Sequence, residues 1–169
     1  SQGEPEQAAL VSDGVRLVHH VIKAYGVSRT RIVLVGHSLG TGVVSQVAAQ
    51  LQARGEQVAG LVLLAPFTSV ARLVDESVPL LPMGWSVGDD FKSDEALKQV
   101  RCPILIIHGV HDSIVPVTHG RDLARLLAGR VEYVEVNRGH NDLWTRPSPV
   151  VEPVQHFVER VVVSHHNER

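Results

Sequence analysis

The chain has 169 residues, which is the size of one domain and enough to bury a hydrophobic core. Its 16 Lys+Arg residues against 18 Asp+Glu residues give a net charge of -2 with no basic block, so the charge pattern does not indicate nucleic acid as a partner. Cys102 is the only cysteine, which excludes an intrachain disulfide, and each apolar run is much shorter than the roughly 20 residues that cross a bilayer.

The first periodic segment predicts a helix over 8–25. Its apolar residues recur at spacings of three and four, which places them on one face, and Gly26 is typical of the residue that ends a helix. The next apolar segment, RIVLV at 31–35, is a short β-branched run and predicts a strand covered on both faces. The apolar residues at 43–51 return to helical spacing, so a second helix follows.

The alternation of strands and helices continues to the end of the chain. Strands are predicted at 58–65, 103–109 and 131–136, and helices at 94–99, 119–128 and 152–163. This order predicts an α/β fold: a single three-layer α/β/α domain over 1–169 with about four mainly parallel strands. The connection at about 66–100 is long and rich in Pro, Gly and apolar residues, which predicts a short lid-like insertion.

The junction between the first strand and the second helix reads Gly36-His37-Ser38-Leu39-Gly40. A Gly-x-Ser-x-Gly turn between a strand and a helix is typical of a nucleophile elbow, in which the residues beside the serine must be small. The alternative is a glycine-rich turn of a nucleotide-binding protein. That alternative is disfavoured because both common phosphate-binding glycine patterns, GxGxxG and GxxxxGK[ST], are absent.

A serine hydroxyl becomes a nucleophile when a base takes its proton and an acid orients that base. Asp112 follows the predicted strand at 103–109, and His140 follows the strand at 131–136. The order Ser, Asp, His is that of a hydrolase triad. An alternative for HGVHD is a metal site formed by His108, His111 and Asp112, with His140 as a further ligand. We favour the triad and predict neither a metal nor another cofactor.

Three segments carry a resemblance to a known family. GHSLGTG, HGVHDSIVP and GHNDL resemble the catalytic segments of α/β-hydrolase serine hydrolases, and are most similar to the eukaryotic monoacylglycerol and lysophospholipid lipase branch. LLAPFTSV resembles the segment after the next strand in that branch. The resemblance implies hydrolysis of an acyl ester or lipid substrate through an acyl-serine intermediate. The implied roles are nucleophile for Ser38, acid for Asp112, base for His140, oxyanion N–H donor for Leu39, and substrate contact for His37 and Phe67.

The resemblance also implies that the chain is a partial α/β-hydrolase fold. Only 37 residues precede Ser38, so the chain corresponds to the C-terminal half, and a second oxyanion donor is not identified. Two alternatives stay open: a peptidase or S-acyl thioesterase that uses the same triad, and a non-catalytic interaction module. The lid could contact a membrane, and strand 31–35, as an exposed edge, could mediate self-association. No signal peptide is recognised in the sequence, which leads us to expect an intracellular location.

Overall fold

A computed structural model describes residues 6–77 and 90–164 of the chain. Within these ranges the helices are α1 (Gln7–Tyr25), α2 (Leu39–Ala53), α3 (Val70–Ser77), α4 (Ser93–Gln99), α5 (Val117–Leu126) and α6 (Val151–Ser164), and the strands are β1 (Val33–His37), β2 (Gly60–Leu64), β3 (Ile104–Gly109) and β4 (Val131–Val136). The strands are parallel and lie in the order β1-β2-β3-β4. The predicted α/β class with a parallel sheet is confirmed.

The central strands separate two hydrophobic cores. Successive side chains of a strand point to opposite faces, so Leu61 and Leu63 of β2 join the core beneath α1 and α2, whereas Val62 and Leu64 join the core that includes Phe157 of α6. All residues of β2 and β3 are buried, as expected for parallel strands with helices on both faces. The molecule is therefore built in the three layers that the alternating pattern predicts.

The structure differs from the sequence prediction at the start of β1. The predicted strand covered 31–35, whereas the observed strand is Val33–His37. The Ser28 hydroxyl accepts a hydrogen bond from the Thr30 N–H and begins a short 3-10 helix at Arg29–Arg31, so the extended backbone starts two residues later. A short helix that begins with such a capping bond leaves no pattern of apolar residues in the sequence, so the analysis of periodicity missed it.

The predicted lid-like insertion at 66–100 is described in part. It contains α3 and α4, of which α3 was not predicted, and residues 78–89 lie outside the described residues. α3 is only 8 residues long, which is too short for apolar periodicity to distinguish it from a loop. None of the helices within 6–77 and 90–164 combines the length and apolarity needed to cross a membrane.

β1 is an edge strand of the described sheet, because it pairs with β2 on one side and with no other described strand. Val33 packs against the core that contains α6, but Val35, on the same face, is 49% exposed. The prediction that this strand is covered on both faces is therefore wrong at Val35. Edge strands usually carry charges or prolines that discourage pairing with another chain, and β1 has neither.

We propose that this 169-residue polypeptide self-associates through β1, and we expect Val35→Lys to weaken that association roughly tenfold. Pairing through β1 would bury the Val35 side chain, and a lysine there would lose its hydration instead of contributing apolar burial. Sedimentation equilibrium measures the dissociation constant directly. Val151→Lys is the matched control, since Val151 is 55% exposed and lies on α6 rather than on β1. Equal association of both variants and the wild type would remove β1 as the contact.

Candidate active site

Ser38 lies at a strained turn between β1 and α2. Its backbone has φ 53° and ψ -123°, a conformation that side-chain-bearing residues rarely adopt. The turn is held by the Ser38 N–H, which donates to the Leu64 carbonyl at 3.0 Å, and by the Thr41 hydroxyl, which donates to the Ser38 carbonyl at 2.6 Å. These bonds fix Ser38 at the carboxyl end of β1.

The two glycines of the elbow are not equivalent. A Cβ atom on Gly36 would lie 2.5 Å from the Gly40 carbonyl oxygen and 2.8 Å from the Cα of Thr41, so only glycine allows α2 to turn back so closely over β1. A Cβ on Gly40 would meet no described atom within 4 Å. The expectation that both flanks of the turn must be small for steric reasons is therefore wrong for Gly40.

Three polar side chains from different loops meet at this end of the sheet. Ser38 Oγ lies 3.0 Å from Nε2 of His140, and His140 Nδ1 lies 2.7 Å from Oδ2 of Asp112. Asp112 follows β3 and His140 follows β4, and each is only 8% exposed. The structure thus brings together the serine, the histidine and the aspartate that the sequence analysis selected, in a continuous hydrogen-bonded chain.

The second oxygen of Asp112 is held by its own loop. Oδ1 accepts the N–H groups of Ile114 at 2.9 Å and Val115 at 2.7 Å. Burial opposes the charged carboxylate, but the neighbouring His108 ring and the hydrogen bonds from His140 and the two backbone N–H groups outweigh it and hold the pKa of Asp112 well below its usual range. The carboxylate is therefore charged at neutral pH and can orient and stabilise an imidazolium.

The loops that carry Asp112 and His140 are in direct backbone contact. The N–H of His111 donates to the Arg138 carbonyl at 3.0 Å, and a Cβ on Gly109 would collide with that same carbonyl. Gly109 is therefore needed for the two loops to approach each other, a role that the sequence analysis missed. Its signal was a glycine at the carboxyl end of a predicted strand, three residues before the acid.

His37 and Leu39 flank the serine in different ways. The His37 ring stacks on His140 with 5.0 Å between centroids and a 31° tilt, and its Nε2 is buried without a hydrogen-bond partner among the described residues. Burial, followed by the charge of His140, lowers the pKa of His37. Leu39 is the first residue of α2, so its N–H has no acceptor within the helix and is available to an oxyanion.

Phe67 requires a correction. The resemblance implied a contact with substrate, but the ring is 0% exposed and belongs to the core beneath α1 and α2. A Cβ on Gly42 would lie 2.9 Å from the tip of the ring, which shows how tightly α2 packs on it. In the described structure Phe67 is therefore a packing residue of this core.

The metal alternative for HGVHD is not favoured by the geometry. His111 is exposed and bonds through Nε2 to the side-chain oxygen of Asn137 at 2.7 Å, whereas the Nε2 of buried His108 faces the Val115 carbonyl at 2.9 Å. Within 6–77 and 90–164, no group of three or more metal-ligating side chains is gathered closely enough to hold an ion. What the described residues form here is a hydrogen-bonded chain from Ser38 through His140 to Asp112.

The half-buried His37 and the buried His119 give folding stability a defined pH dependence. Burial lowers the pKa of His37, and burial also lowers that of His119 despite the nearby charge of Glu76. Both therefore take up a proton in the unfolded chain, near the usual pKa of about 6.5, before they do so in the folded one. We expect the free energy of unfolding to fall as the pH drops below about 6.5 and to level off below the folded-state pKa values.

Replacing His119 by Gln should make that pH dependence shallower, because one of the two proton uptakes is then absent. Urea unfolding between pH 5 and pH 8 gives the measurement. His156→Gln is the control, since His156 is exposed on α6. Identical slopes for His119→Gln and the control would contradict the assignment.

Comparisons with known proteins agree with this architecture. The sequence profile of the prolyl oligopeptidase family matches residues 6–141. An uncharacterized protein of Mycobacterium tuberculosis is 34% identical over 141 residues, covering 83% of this chain and 48% of that protein. The lysophosphatidylserine lipase ABHD12 of Danio rerio is 32% identical over 142 residues, covering 76% of this chain and 36% of that protein.

The fold is shared with solved structures at lower identity. An α/β-hydrolase from Vibrio vulnificus superimposes with a TM-score of 0.69 at 18% identity, over 94% of this chain and 57% of that one. The chain spans about half the length of the Mycobacterium tuberculosis relative and about a third of the Danio rerio lipase.

Proposed function

Because the chain belongs to the prolyl oligopeptidase family of α/β-hydrolases, we propose that it is a serine hydrolase that cleaves carboxylic esters through an acyl-serine intermediate. The observation that carries the proposal is the relay in which Ser38 Oγ lies 3.0 Å from His140 Nε2 while His140 Nδ1 lies 2.7 Å from Asp112. Both distances are within the range of hydrogen bonds through which a proton can be transferred.

In the proposed reaction Ser38 is the nucleophile. Its Oγ attacks the ester carbonyl carbon as His140 Nε2 removes the hydroxyl proton, and the imidazolium that forms is stabilised by Asp112. His140 then gives this proton to the departing alkoxide, which leaves an acyl ester on Ser38. A water molecule repeats the sequence with His140 again as base, releasing the carboxylic acid and restoring the serine.

The beginning of α2 stabilises the charge that develops on the carbonyl oxygen. The Leu39 N–H is available, and the dipole of a 15-residue helix places partial positive charge beside Ser38. A hydrogen bond to a developing oxyanion strengthens in the transition state and so accelerates the reaction. The strained backbone of Ser38 turns the chain directly from β1 into α2. The Ser38 hydroxyl and the Leu39 N–H therefore lie side by side, and the helix orients the N–H before substrate binds.

The relatives support a substrate class for this proposal. Similarity to a protein named lysophosphatidylserine lipase supports an acyl ester of a lipid, of the monoacylglycerol or lysophospholipid type. A second candidate is peptide hydrolysis, which is favoured by the peptidase family whose profile matches 6–141. The triad chemistry is the same in both cases, and the surrounding pocket selects the leaving group.

The experiment is labelling of the purified chain with a fluorophosphonate probe, followed by mass spectrometry of the adduct. We expect one adduct, on the peptide that contains Ser38. A substrate panel then assigns the class: a monoacylglycerol and a lysophospholipid for the lipid proposal, and an aminoacyl amide and a palmitoyl thioester for the alternatives. A folded chain that neither binds the probe nor turns over any substrate would instead be a non-catalytic interaction module.

A further inference from the structure

His108 is a buried histidine to which the proposed reaction assigns no step. It lies in β3, four residues before Asp112, and is 0% exposed. Its Nε2 is 2.9 Å from the Val115 carbonyl oxygen and 3.6 Å from Oδ2 of Asp112. Since a carbonyl oxygen can only accept, the ring carries a hydrogen on Nε2 and donates it to the loop that follows the triad acid.

The bond from His108 closes a small hydrogen-bonded unit around Asp112. Val115 is 1% exposed; its N–H donates to Oδ1 of Asp112 at 2.7 Å and its carbonyl accepts from His108. His108 and Asp112, four residues apart in sequence, therefore both bond to the backbone of Val115, one at its carbonyl and the other at its N–H. The direction of the Asp112 carboxylate is set by the loop N–H groups, and the position of the loop is set in turn by His108.

Helix α5 fixes the ring of His108 in this orientation. A Cβ on Gly120 would lie 2.5 Å from His108 Nδ1, so the backbone of α5 packs directly against that side of the imidazole. Nδ1 has no hydrogen-bond partner among the described residues. Flipping the ring would place a carbon atom against the Val115 carbonyl and leave that buried acceptor without its donor, which disfavours the alternative orientation.

We propose that His108 is a positioning residue for the triad acid: it anchors loop 112–115 through the Val115 carbonyl so that Oδ2 of Asp112 faces His140 Nδ1. This inference rests on the proposed function for its catalytic consequence, but the geometry that it describes can be measured without turnover. Small displacements of a catalytic group cost reaction rate because the reacting atoms lose alignment.

The first test is proton NMR of the His140 Nδ1–H, which resonates far downfield when it is hydrogen-bonded to a carboxylate. We expect this signal in the wild type and in His108→Gln, whose amide N–H group reaches the Val115 carbonyl. We expect it to be lost in His108→Leu, which has no donor. His119→Leu is the matched control: His119 is also 0% exposed but bonds to Thr68 rather than to the acid loop, so the signal should persist.

The second test is the rate of fluorophosphonate labelling at Ser38. His108→Leu should label about 10- to 100-fold more slowly than the wild type, and His108→Gln should recover most of the rate. In an Asp112→Asn background the His108→Leu change should have no further effect, because His108 acts through Asp112. A general loss of packing would slow both backgrounds alike and would overturn the proposal.

A folded His108→Leu protein with the full downfield signal and the wild-type labelling rate would also overturn it. If His108→Leu does not fold, His108→Asn replaces it, since the shorter amide falls short of the Val115 carbonyl. The proposed function fails separately, through labelling that survives Ser38→Ala. In that case the NMR signal still decides whether His108 positions the acid.

Discussion

Replacing Ser38 by alanine will reduce ester turnover on the order of 10⁶-fold and abolish fluorophosphonate labelling. The acyl group has no other acceptor in the proposed mechanism, and His140 Nε2 loses the hydroxyl that lies 3.0 Å away. The loss should appear in kcat rather than in KM, because the missing bond forms only during the reaction. Initial rates with a monoacylglycerol and with a chromogenic short-chain ester give the measurement.

Ser113→Ala is the control for this prediction. Ser113 is exposed and follows Asp112 directly, so it is a serine near the site that lies outside the Ser38–His140–Asp112 relay. We expect its activity to stay close to that of the wild type. Equal circular dichroism spectra for both variants would show that the fold is kept. Turnover that persists in Ser38→Ala, or labelling on another residue, would remove Ser38 as the nucleophile.

The fold could be predicted from the sequence where hydrophobic burial alone decides it. β2 and β3 lie in the middle of the sheet, and their continuous apolar runs predicted strands at 58–65 and 103–109 that contain the observed Gly60–Leu64 and Ile104–Gly109. Helix α1 was predicted equally well, because its apolar stripe is long and Gly26 ends it in the left-handed conformation with φ 65°.

The fold could not be predicted where it depends on local hydrogen bonds or on which elements lie beside a strand. The capping bond of Ser28 starts a 3-10 helix, so β1 begins two residues later than predicted. Helix α3 has too few turns for its apolar periodicity to be recognised. Val35 is apolar, like a buried strand residue, yet half-exposed. The residue type indicates whether burial of a side chain is favourable, whereas its actual exposure depends on which helices and strands pack beside it.

The relay could be foreseen because a parallel sheet places the carboxyl ends of its strands along one edge. Residues that follow β1, β3 and β4 must then approach each other, although Ser38 and His140 are 102 residues apart in sequence. The supporting contacts could not be foreseen in this way. The stacking of His37 on His140 and the need for Gly109 depend on distances between loops, and these follow only from the packed structure.

The second large effect concerns the acid. We expect Asp112→Asn to lower kcat on the order of 10⁴-fold while leaving the fold intact, because the change reverses the hydrogen bond to His140. Oδ1 of Asp112 accepts two backbone N–H groups, so an asparagine must place its carbonyl oxygen there and its amide NH₂ group where Oδ2 stood. That NH₂ group donates, and His140 Nδ1, 2.7 Å from Oδ2 in the native protein, must then accept.

A histidine that accepts at Nδ1 carries its proton on Nε2, the nitrogen that faces Ser38, and so cannot remove the serine proton. Asp142→Asn is the matched control: Asp142 is two residues from His140 and exposed, and its Oδ1 accepts the Gly139 N–H at 2.6 Å, a bond that an asparagine oxygen can keep. Steady-state kinetics on both variants distinguish the proposed role of Asp112 as the triad acid from the role of Asp142, which only braces its loop. Comparable losses in the two would mean that the charge near His140, rather than the tautomer that Asp112 selects, is what the reaction requires.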